Sequence, residues 1–224
     1  MEEKNKIIDP WEITSEVVYK ENSISQRKKF LIICEGYTEE IYFDSFPDPK
    51  GRIDIEFFNL KGRAKSRLIQ KIKNRVRSSK IKYDKIWCVF DRDYNEGTEE
   101  ENKDFNEKIS KGNKLEKCEM IYSNDAFELW FLLHYEDWKE PSLRSVYYEK
   151  LITQWQLRSE KDLKKKDFCK KRYEELLPYQ VLAIERAKKL YAEHQHKDPH
   201  DQNPVTMVYR LVEELNNNVR PWDK

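Results

Sequence analysis

Two rhythms of apolar residues run along this chain. In the first, short continuous apolar runs end abruptly in charge. "FLIIC" (30–34) and "IWCVF" (86–90) are the clearest, with "IDIEFFNL" (53–60) and "KCEMIYS" (117–123) less regular. Continuous runs of this length suit parallel strands covered on both faces. In the second rhythm, apolar residues recur at helical spacing. A helix over 64–79 puts Leu68, Ile69, Ile72 and Val76 on one face. Thr38 is placed to cap a helix reaching about Phe46, and "NDAFELWFLLHYE" (124–136) opens another. Between them, 94–102 reads as an acidic loop followed by a short helix.

Strands alternating with helices predict an α/β fold, a mostly parallel sheet with helices on both faces. From about Pro141 the strand signals vanish. "SVYYEKLITQW", "VLAIERAKKLYAEH" and "VTMVYRLVEELNN", broken at Pro178 and around Pro199 to Pro204, predict a helical C-terminal extension packed on the sheet. The chain thus divides into an N-terminal arm (1–28), a core (29–140) and the helical portion (141–224).

Composition narrows the class. The longest apolar runs fall far short of the roughly 18 residues a membrane span needs. "MEEKNKIIDPW" lacks the basic-then-apolar layout of a signal peptide. Cys34, Cys88, Cys118 and Cys169 are widely spaced, which argues against a structural zinc and for the cytoplasm. Net charge is +1, yet the charges are segregated. From Lys61 to Lys82 there are ten basic residues and no acidic one, whereas 91–107 is mostly acidic.

The chemistry lies where the apolar runs stop. Glu35 ends the first strand and Asp91 the third, and in an open α/β sheet ligands collect at the carboxyl ends of strands. Period-two alternation predicts that Asp91 and Asp93 point the same way, with Arg92 turned aside. Three carboxylates converging without a basic partner would repel, and a hard divalent cation such as Mg²⁺ removes that cost. Glu39, one helical turn beyond Glu35, is placed to face the same crevice and hold a second ion. Two ions would clamp the attacking and leaving oxygens of a phosphodiester.

Blander readings stand beside these. Glu39 and Glu40 also suit the first turn of a helix. Asp125 and Glu128 have capping-box spacing, which accounts for Glu128 without chemistry. His134 reads first as a packing histidine and Trp130 as core. The stretch "KGRAKSRLIQKIKNRVRSSKIK" fits a helix with one buried face and a cationic remainder. Because no acid interrupts it, Lys61, Arg63, Lys65, Arg67, Lys71 and Arg75 are candidates for phosphate contacts with nucleic acid.

"CEGYTEEIYFDSF", "KYDKIWCVFDRD" and "YSNDAFELWFLLHYE", in this order, resemble the RloB-like family of bacterial defence proteins, and "NPVTMVYRLVEEL" resembles its closing helix. That family belongs to the Toprim class, whose hallmark is a glutamate after the first strand and a DxD after a later one. The resemblance implies a Toprim-like core with Glu35, Asp91 and Asp93 as an acidic triad and Glu39 as the second acid of an EGxxE pattern. Glu128 falls in the motif around "FELW". Family members often carry proline where this chain has Asp125. The resemblance further implies a Mg²⁺- or Mn²⁺-dependent nuclease in phage defence, acting on RNA, tRNA included, or DNA, and often paired with an ABC/AAA-like ATPase. The alternative is a non-catalytic binding or regulatory subunit of an ATPase-containing complex. Self-association stays open, and no membrane partner is expected.

Overall fold

The computed structural model describes residues 27–47, 52–62, 67–93 and 97–218. Strands β1 (Lys28–Cys34), β2 (Ile53–Asn59), β3 (Lys85–Asp91) and β4 (Cys118–Asn124) run parallel, and β5 (Val205–Thr206) pairs antiparallel with β4. The order across the sheet is β2-β1-β3-β4-β5. The two continuous apolar runs occupy its centre. Leu31, Ile32 and Ile33 of β1 and Trp87, Cys88 and Val89 of β3 are no more than 1% exposed. Each of the three β1 aliphatic side chains contributes about 1.5–3 kcal/mol by leaving water, which holds this pair at the centre of the sheet. All four cysteines are free and buried.

Helix α1 (Tyr37–Asp44) links β1 to β2, α2 (Leu68–Ser78) links β2 to β3, and α3 (Glu99–Asn113) links β3 to β4. The first crossover moves one way along the sheet and the other two move back. With right-handed crossovers, α1 therefore covers one face while α2 and α3 cover the other. In agreement, α2 packs on α3, and α1 packs on α7 (Lys166–Leu176). The chain thus leaves β1 and β3 toward opposite faces and opens a crevice between their carboxyl ends, the topological switch point.

Several elements differ from the sequence expectation. The acidic stretch is not all loop, because α3 already begins at Glu99, with Thr98 accepting a hydrogen bond from the Glu101 N–H at 3.2 Å. Its acidic first turn suits the helix dipole. The helix expected over 124–136 contracts to α4 (Glu128–Leu132). At its end His134 and Tyr135 donate three residues back, to Phe131 and Leu132, and tighten the chain out of α geometry.

The C-terminal portion holds α5 (Arg144–Gln154), α6 (Glu160–Leu163), α7, α8 (Gln180–His194) and α9 (Val208–Asn218), but it is not purely helical. β5 completes the sheet edge, where Met207 N–H donates to Tyr122 O at 2.8 Å and the Ser123 and Thr206 hydroxyls lie 2.8 Å apart. Two residues are too few to show a period. The free edge of β4 makes them a strand. A single apolar cluster runs from Phe30 to Leu215 through both portions. Among the described residues, no helix is long and apolar enough to cross a membrane.

Candidate metal centre

The strand ends meet. Glu35 N–H donates to Val89 O at 3.1 Å, carrying the β1–β3 pairing one residue past β1. Asp91 N–H in turn donates to Glu35 Oε2 at 3.3 Å. The two carboxyls are therefore neighbours at the switch point. Asp91 Oδ1 is buried and has no hydrogen-bond partner.

Glycine at position 36 has a local reason. It is the N-cap of α1, extended and without a side chain to offer, so Thr38 lies inside the helix and does not cap it. Glu39, three residues on, folds its carboxyl back over the first turn, where the backbone N–H groups of Glu39 and Gly36 favour its charge. A Cβ on residue 36 would lie 2.9 Å from Glu39 Oε2, so the glycine leaves the space into which Glu39 folds back. Glu39 is buried, and burial, reinforced by Glu128 and Glu35, pushes its carboxyl up to about 8. Burial also raises Asp91, with Glu39, Glu128, Glu35 and Asp93 adding to it. Glu128 is buried and raised by that burial, against the pull of Lys164 and Arg144.

A basic partner is present after all. Arg144, at the start of α5, forms an ion pair with Asp93, and its backbone N–H donates to Asp125 Oδ2 at 3.0 Å. Its Nε lies 3.4 Å from the same oxygen. Asp125 thus caps α5 from outside and does not form the capping box with Glu128, whose helix has Phe127 at its N-cap. Nor does strand alternation aim Asp93. β3 ends at Asp91, and Asp93 sits at φ 50°, a left-handed conformation reached through a turn. Its N–H donates to Asp125 O at 3.3 Å. One turn along α5, buried Tyr148 lies in the field of Glu128, Arg144 and Asp91, and burial raises its hydroxyl. Arg144 and Tyr148 were invisible as site residues. Their spacing of four signals a shared helix face, but nothing local says what that face meets.

The family model described as RloB-like protein matches residues 30–215. The chain belongs to the RloB-like family. A comparison with curated proteins finds no match, and neither does one with solved structures. The matched span of this RloB-like chain contains every residue of the crevice just described, Arg144 and Tyr148 included.

The donor chemistry of the crevice suits a hard divalent cation. It offers carboxylate oxygens, one of them buried and unpartnered, inside a group of like charges. Glu35 and Asp91 stand foremost, with Glu39 and Glu128 behind. The set is not closed in this conformation. Among the described residues no three His, Cys, Asp or Glu side chains form a group that could hold an ion, and Asp93 is held by Arg144.

Other candidates fall elsewhere. Glu40 accepts from the Asn59 side-chain amide and joins α1 to β2. His134 is buried, hydrogen-bonded through Nδ1 to Trp130 O at 2.8 Å, and lowered to about 4 by that burial. It packs as a neutral ring away from the carboxylates.

The basic stretch divides. Arg63 and Lys65 lie outside the described residues. Exposed Lys61 follows β2 at the carboxylate end, in a turn whose Gly62 N–H donates to Glu35 O at 2.9 Å. Arg67 is the exposed N-cap of α2, and Lys71 is half-buried. Arg75 does not turn to solvent as its helical position suggests. It pairs with Glu56 of β2 and lies 5.3 Å from the Phe58 ring, because the edge strand offers it both a charge and an aromatic face.

Proposed function

We propose that this chain is a Mg²⁺- or Mn²⁺-dependent nuclease, hydrolysing phosphodiester bonds of RNA, tRNA included, or DNA as an antiphage effector alongside an ABC/AAA-like ATPase. One observation carries the reading: a buried carboxyl oxygen, Asp91 Oδ1, sits among like charges where no donor reaches it. Such a group demands a cation or a proton. The Toprim resemblance, which implies an acidic triad of Glu35, Asp91 and Asp93, supports the same reading.

Two bound ions would supply Lewis acidity toward the phosphodiester and an activated water. Glu35 and Asp91 would hold them first, with Asp93 joining as Arg144 yields it. Glu39, whose carboxyl keeps a proton near neutral pH, would give that proton up on ion binding. Glu128 and Tyr148 wall the crevice from the α4 and α5 sides, and Arg144 is placed to face a phosphate. The second reading, a non-catalytic regulatory subunit, draws on the same arginine, since Arg144 already supplies a permanent cation to Asp93 and Asp125.

Incubation with tRNA, single-stranded DNA and duplex DNA, in Mg²⁺, Mn²⁺ or EDTA and with or without the ATPase, separates the two. A nuclease cleaves only with metal and loses cleavage to background in Asp91→Asn and Glu128→Gln. Asp91→Asn should also raise the metal-free melting temperature, since it removes the repulsion without removing the shape. Affinity without turnover in every condition would establish the binding subunit. Near-normal cleavage by Glu128→Gln would take Glu128 out of the site.

A further inference from the structure

The second half of the basic run does not face the carboxylates. α2 runs back along the sheet, so Lys73, Arg77, Lys80 and Lys82 arrive at the amino end of β3, where Lys117 joins them from the turn before β4. Together they line a cleft of about 710 Å³. The 79–83 turn is fixed: Ile81 N–H donates to Ser79 Oγ at 3.0 Å, and the Tyr83 hydroxyl donates to Glu56 Oε2 at 2.6 Å. Lys117 Nζ is tied to Tyr83 O at 3.2 Å. The floor is apolar, formed by Ile72, Val76, Ile81, Ile86 and Leu115, and Ile81 is 39% exposed. Glu116 is the one acid of the lining.

We infer that this cleft binds the sugar-phosphate backbone of a single-stranded nucleic acid, its unpaired bases covering the apolar floor. The inference deepens the nuclease reading and rests on it for the ligand's identity. The helix-dipole explanation accounts for Arg75 and Arg77 in the last turn of α2. It does not account for Lys73, earlier in the helix, nor for Lys80, Lys82 and Lys117, which come from two other segments. Four of these cations, Lys73, Arg77, Lys80 and Lys82, are exposed and have no ion pair among the described residues.

A compact nucleotide polyphosphate fits poorly. Such ligands use helix N-termini and backbone N–H nests, whereas α2 presents its carbonyl end here. Dispersed lysines over an apolar floor suit a polyanion with exposed bases. β3 spans roughly 20 Å between the two sites, or about six stacked nucleotides at roughly 3.4 Å each. Lys61 and Arg67 at the other end of α2 make one strand able to reach both.

The test is fluorescence anisotropy of a 12-nucleotide single strand on the full chain, in EDTA so that no cleavage intervenes, at several salt concentrations. Lys73→Gln/Lys80→Gln/Lys82→Gln should lower the salt slope by about 2, at roughly 0.7 per contact, and the affinity on the order of 100-fold at 0.1 M salt. An unchanged slope and affinity overturns the inference. So does equal competition by polyglutamate of matched charge, which would make the cleft a surface for acidic protein. Because the readout is binding without metal, a chain that binds here but never cleaves would sink the nuclease reading alone.

Discussion

The two ends of the sheet carry opposite charge in opposite ways. At the carboxyl end, burial raises the carboxyls of Glu39, Asp91 and Glu128, with Glu128 adding to Glu39 and both adding to Asp91, so each charge there costs free energy unless a cation or proton meets it. At the amino end, Lys73, Lys80 and Lys82 stand in solvent, where like charges are screened and cost little. A buried group of like charges is therefore evidence in itself that something is to be bound. An exposed group is not, and it needs the convergence of separate segments on one cleft before it points to a ligand.

Substitutions at the two ends should differ accordingly. The largest loss of stability is expected from Arg144→Gln, which leaves Asp125, with a side chain only 1% exposed, without its guanidinium. Breaking such a pair costs about 3–5 kcal/mol, and the low end applies because Arg144 is partly exposed. Chemical denaturation measures it. A cost near zero would mean that water already solvates Asp125.

An effect of comparable size, spread over pH, belongs to Glu39. Its carboxyl titrates at 4.5 unfolded and about 8 folded, so between these values the folded protein binds the extra proton. Metal-free stability should then fall as pH rises through that window. Melting curves in EDTA should show this slope, and Glu39→Gln or saturating Mg²⁺ should flatten it. A flat wild-type profile would show that the carboxylate end is wetter than its burial implies. The smallest effect is expected at the other end, where Lys73→Gln, Lys80→Gln and Lys82→Gln should each shift stability by less than about 0.5 kcal/mol. A larger change would reveal a structural role and weaken the contrast.

The parallel core and the meeting of Glu35 with Asp91 were legible because both follow from runs of residues adjacent in the chain. "FLIICEG" and "IWCVFD" state a buried strand and the acid at its end, and the switch-point rule brings the ends together. Asp93 was legible as a site candidate but not in its aim, since alternation stops where the strand does. The reach of Glu39 was half visible: the sequence shows its position in the first helical turn but not the space above Gly36.

By itself, then, the sequence determined the order of strands and helices, the burial of the two central strands and the presence of acids at their ends. Local periodicity and residue volume suffice for these. Only the tertiary structure decided that β5 closes the sheet, that Asp125 serves α5 and not α4, and that Arg144 and Tyr148 enter the crevice. The structure also divided the basic run, turning Arg75 onto Glu56 and sending Lys73, Lys80 and Lys82 to the far cleft. Each of these pairs groups distant in the chain. Their energy exists only once the apolar core has brought them within hydrogen-bond or Coulomb range, so no local pattern can announce it.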